Sequence, residues 1–111
     1  MTVQDLINAD IFKTLKEGDD LGREISGVFN CDLLSIDMSK APSDCAWVTV
    51  MGNINTLAVA TLADVSCIIL AEGVVFDEAG AAKLSATDIT VLTTDMPVFD
   101  ASLKVYEMIN A

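Results

Sequence analysis

Residues 47–70, WVTVMGNINTLAVATLADVSCIIL, read as strand, polar turn, helix and second strand. Trp47, Val48, Thr49 and Val50 carry the aromatic and β-branched side chains that suit a pleated surface. Gly52-Asn53-Ile54-Asn55 is turn chemistry, and Asn53 and Asn55 can each accept from the free N–H groups that open a helix. Leu57, Ala60, Leu62 and Ala63 then recur at near-helical spacing, and residues 65–70 form a short apolar run typical of a buried strand. Two strands bridged by one helix make a βαβ unit, which calls for parallel strands and a right-handed crossover.

The same alternation extends in both directions. Downstream, Asp77 is placed to cap a helix over residues 78–84, which Gly80 keeps short. Residues 89–92 supply another parallel strand. Thr94 or Asp95 can cap a last helix that carries Pro97 in its first turn. In that helix Val98, Ala101, Ser102, Val105, Met108 and Ile109 recur at three and four, with Asp100, Lys104 and Glu107 outward. Upstream, Thr2 caps a helix over residues 3–8, and IFKTLK (11–16) alternates as a strand. Residues 22–29 read as a strand with glycines near both ends, and Asp32 caps a helix over residues 33–38. The expectation is one α/β domain spanning residues 1–111, with a mostly parallel sheet flanked by helices.

Composition narrows the function. The chain is 52% apolar but only 5% aromatic, so aliphatic side chains build the core, and the excess suggests that some apolar surface meets a partner subunit. Seventeen acids against six bases give a net charge of −11. Such a field opposes nucleic acid and anionic lipid, keeps the chain dissolved, and offers an acidic docking face to a basic partner. Cys31, Cys45 and Cys67 form no CxxC pair, which fits a reducing, cytoplasmic compartment without a disulfide framework. Asp5 and Asp10 interrupt the N-terminal stretch, so it does not read as a signal peptide. Residues 45–63 are uncharged, but Gly52, Asn53, Asn55 and three threonines argue against a membrane span.

No catalytic constellation is visible. The chain has no histidine and no cysteine or carboxylate spacing suited to a metal. It has no GxxxxGK[ST], no G-x-S-x-G, and no lysine or arginine between Lys40 and Lys83. The reading is therefore a non-enzyme without cofactor or metal. Two places could bind a small anion. One is the turn holding Gly52, Asn53 and Asn55, at the end of a parallel strand where open α/β sheets place ligands; simple helix capping is the competing explanation. The other is Arg23 beside Ser26 and Gly27, which could clamp a carboxylate or phosphate. There the competing explanation is an ion pair with Asp19, Asp20 or Glu24.

The succession Gly22-Arg23-Glu24-Ile25-Ser26-Gly27, Asp32-Leu33-Leu34-Ser35, Trp47-Val48-Thr49, Asn55 with Leu57-Ala58-Val59-Ala60, and Ile68-Ile69-Leu70-Ala71-Glu72-Gly73 resembles the DRTGG domain. The likeness runs over nearly the whole chain, with Gly22 standing where that family has Asp before the arginine and Val28 in place of its last glycine. The family is similar to the N-terminal domain of HPr kinase/phosphorylase, and stand-alone versions occur in anaerobic bacteria, some beside hydrogenase genes. The resemblance implies a regulatory or assembly module with no chemistry of its own. It would dimerise, here through small residues such as Ala58, Ala60 and Ala63, and would sense an anionic metabolite or nucleotide. The alternative it leaves open is an acidic adaptor for a partner enzyme, hydrogenase-associated in an anaerobic bacterium.

Overall fold

The computed structural model describes all of residues 1–111. Five strands form one sheet in the order β1-β5-β4-β3-β2. β2 (Gly27–Asn30), β3 (Cys45–Thr49), β4 (Cys67–Leu70) and β5 (Thr90–Thr93) run parallel, and β1 (Lys13–Lys16) is antiparallel to β5. The expected α/β architecture with a mostly parallel sheet is what the chain adopts. α2 (Leu34–Lys40), α3 (Ile54–Ala63) and α4 (Glu78–Leu84) link successive parallel strands.

The central strands explain the unbroken apolar runs in the sequence. Every residue of β3 and β4 is buried, because both faces of the sheet are covered. Alternation then divides the side chains between two cores. Ala46, Val48, Cys67, Ile69 and Leu92 pack with α1 (Val3–Asn8) and with Ala101 and Val105 of α5 (Val98–Ile109). Cys45, Trp47, Ile68 and Val91 pack on the other face with Leu57, Val59 and Ala60 of α3, joined by Leu34 of α2 and Leu84 of α4. The Trp47 indole N–H donates to the Cys31 carbonyl at 3.2 Å, so the largest core side chain leaves no polar atom unpaired.

Local chemistry fixes most helix starts. Thr2 and Asp5 form a reciprocal capping box on α1, and Asp77 accepts from Gly80 N at 2.8 Å to open α4. Gly80 is required where it stands, since a β-carbon there would lie 2.8 Å from the Phe76 ring.

Three expectations need correction. Asp32 does not cap α2: Leu33 occupies that position without a side-chain bond, and the Asp32 carboxylate instead turns to β3. Neither Thr94 nor Asp95 caps α5. Its first free amide, Val98 N, is taken by the Glu72 carboxylate at 3.0 Å, from a residue held at φ 62° at the end of β4. The regular part of β2 begins at Gly27, and residues 22–26 leave the ladder. Val3 N donates to Arg23 O and Ile25 N to Met1 O, so the N-terminal segment takes their main chain.

Candidate functional site

The candidate residues fall at opposite ends of the sheet. Arg23, Ser26 and Gly27 lie where the parallel strands begin, and Gly52, Asn53 and Asn55 lie where β3 ends. They do not form one site.

At the first end, Arg23 grips two later loops. Its Nε donates to Asp44 Oδ1 at 2.9 Å, and its Nη2 reaches Asp64 Oδ1 at 3.0 Å and the Asp64 carbonyl. Burial works against the charge, but the bonds to Asp44 and Asp64 outweigh it and hold the guanidinium above its ordinary pKa. The acids nearest in sequence, Asp19, Asp20 and Glu24, are not its partners. Asp44 and Asp64 both sit in the left-handed region, at φ 64° and 60°, which aspartate tolerates better than most residues. The Ser26 hydroxyl donates to the Asp44 carbonyl at 3.2 Å, tying the same loop down. Gly27 has open space around it: a β-carbon there would meet nothing within 4 Å.

At the second end, the Asn53 side chain accepts from Asn55 N at 2.9 Å and Thr56 N at 3.2 Å, so it caps α3 from within. Thr56 Oγ1 donates back to the Met51 carbonyl. Gly52 lies against the segment leading into α4, its carbonyl accepting from Asp77 N at 2.7 Å. A β-carbon at that glycine would come within 2.4 Å of Val75 O. Asn55 is exposed and its side chain faces solvent. The carboxylate of Asp32 stands at this end too, accepting from Thr49 Oγ1 at 2.6 Å and Val50 N at 3.0 Å. α2, α3 and α4 all cover one face, so the strand order does not reverse at β3, and reversal is what opens a ligand crevice in doubly wound sheets. The nearest hollow is a groove of about 350 Å³ between α3 and α4, lined by Ile54, Leu57, Ala58, Thr61, Lys83 and their neighbours. Ala60 is fully buried against the sheet, so it is not available for packing between subunits.

Two buried thiols are inert. Burial pushes Cys45 up to about 11 and Cys67 up to about 12, far from the thiolate a nucleophile requires. No group of three or more histidine, cysteine, aspartate or glutamate side chains is arranged to hold a metal.

Other features have a weak sequence signal or none. Asp37 of α2 is fully buried, and neither carboxylate oxygen has a hydrogen-bond partner. Burial raises its pKa; the nearby Cys31 thiol offsets part of that, and the charge of Asp32 adds to it. The same short helix exposes apolar side chains, with Ile36 42% and Met38 52% accessible, and Leu33 at its cap is 56% accessible. On α5, Phe99, Leu103 and Tyr106 form a second exposed apolar stripe. Their spacing of four and three was a readable signal, lying beside the core stripe of Val98, Ala101 and Val105.

Compared with known proteins, the chain matches no family model and no curated sequence. No helix is long and apolar enough to cross a membrane.

Proposed function

We propose that the chain is a stand-alone DRTGG-like module: a non-catalytic, cytoplasmic regulatory domain that acts by dimerising. One observation carries the reading. Six of the nine exposed large apolar side chains belong to α2, its cap and α5, while the polar candidates are mostly engaged within the chain. A surface of that kind recognises rather than reacts. The three free cysteines suit a reducing compartment. Sedimentation velocity on the whole chain is the test. A concentration-dependent dimer in the micromolar range supports the reading, and a monomer at every concentration refutes it.

Ligand sensing is the narrower form of the proposal. An anionic metabolite at Arg23 would compete with Asp44 and Asp64, and one at the α3 turn would have to displace the Asn53 cap. A metabolite panel should then raise the melting temperature in wild type and not in Arg23→Ala or Asn55→Ala. No shift across the panel removes this form.

The net charge of −11 favours a second reading, an acidic adaptor docking a basic partner enzyme. Such a complex should dissociate as salt is raised, and one indifferent to salt would eliminate it.

A further inference from the structure

We propose that the open β2 edge is the self-association surface. Two copies join β2 to β2 antiparallel about a two-fold axis normal to the sheet. On one face α5 then packs against its mate, and on the other face α2 packs against its mate. This rests on the dimer reading above and adds the surface that carries it.

Three features meet at this edge. First, β2 is the last strand of the sheet and pairs only with β3. The N-terminal segment covers the main chain only as far as Ile25, whose N–H donates to Met1 O, so residues 27–30 keep one row of N–H and C=O groups free. Second, α5 packs over β2 and β3. It leaves a groove of about 320 Å³ against β2, lined by Val28, Asn30, Phe99, Ser102, Leu103 and Tyr106. Third, on the opposite face α2 turns Asp37 inward and leaves Ile36 exposed on the flank away from α3, with Leu33 exposed at its cap; a buried carboxylate beside an exposed isoleucine is the reverse of what an isolated surface helix would show.

The occupant that answers all three is a second copy. A foreign extended peptide would satisfy the strand and leave both helices bare. An identical edge brings its own strand and both of its own helices, and a single two-fold operation places each beside its counterpart. The areas agree. Phe99, Leu103, Tyr106, Leu33 and Ile36 are 41–70% exposed. At about 200 Å² for a large side chain they present on the order of 500 Å² of apolar surface. A stable interface needs about 800 Å² from each partner, and the strand edge with its rim supplies the remainder. Residues 25–31 carry no charge, so the join itself is neutral although the two chains, each −11, repel at longer range. Added salt should therefore tighten this dimer, whereas it would loosen an acidic-to-basic complex.

The test is sedimentation velocity on the whole chain at low and high salt, with variants at exposed positions that the fold tolerates. Phe99→Glu combined with Tyr106→Glu, and separately Ile36→Glu, should each weaken the dimer about a hundredfold. Leu62→Glu changes a side chain that is 70% exposed on α3, away from the edge, and should leave the dimer intact. Circular dichroism that superimposes on wild type establishes that each variant is folded. A dimer that survives both edge variants, or that is lost in Leu62→Glu, overturns the surface assignment while leaving dimerisation standing. A dimer loosened by salt overturns it as well. A wild-type monomer at all concentrations overturns the dimer reading itself.

Discussion

The strand at one edge of the sheet, β1, reads Lys-Thr-Leu-Lys; the strand at the other, β2, reads Gly-Val-Phe-Asn. β1 has a lysine at each end, and its pairing with β5 shifts register between Thr14 and Lys16. Lys16 Nζ also reaches across to the Ser85 carbonyl at 3.1 Å. Charge and irregularity are the usual means of keeping an edge from pairing. β2 has neither, and apolar side chains flank it on both faces. The difference suggests that association is steered to one side: an edge closed on β1 and open on β2 yields a closed pair, where two open edges would allow endless growth.

The largest expected effect comes from erasing that asymmetry. Lys13→Val with Lys16→Val gives the sheet two adhesive edges, so light scattering should show species well beyond a dimer, growing with concentration. If the double variant keeps the wild-type mass, the lysines are not what protects β1.

A smaller effect tests why α2 presents its apolar side outward. Asp37 has a raised pKa in the folded chain, so the native state holds its proton more tightly than the unfolded state does. Its contribution to stability is whole below the ordinary carboxyl value of 3.8 and is lost as pH rises through the folded value. The groups facing it are the Cys31 thiol, Asp32 and Cys45; none supplies a positive charge. Asp37→Asn should therefore raise stability by about 1 kcal/mol at neutral pH, with the gain shrinking to nothing in acid. Urea unfolding across pH measures this, and a variant less stable than wild type at neutral pH would show that the carboxylate is favourably paired.

The sequence disclosed what is local. Asp77 and Gly80 announced α4, Asn53 announced the start of α3, and the apolar runs at residues 45–49 and 67–70 announced strands buried on both faces. It concealed what depends on distant partners. Arg23 lies close in sequence to Asp19, Asp20 and Glu24, yet it pairs with Asp44 and Asp64, which only the fold brings near. Asp32 looks like a helix cap, but Thr49 and Val50 reach it first. Edge position is equally hidden, because Gly27-Val28-Phe29-Asn30 could serve as an inner strand as readily as an outer one. Among the candidate binding residues, the Asn53 cap is legible from its neighbours, whereas the separation of the two groups to opposite ends of the sheet is not.

Hydrogen exchange, followed by mass spectrometry at protein concentrations below and above the association range, bears most directly on the two edges. Amides in Gly27–Asn30 are expected to exchange more slowly at high concentration, while those in Lys13–Lys16 exchange at one rate throughout. Equal behaviour of the two strands, or protection gained on β1 alone, would contradict the assignment of self-association to β2.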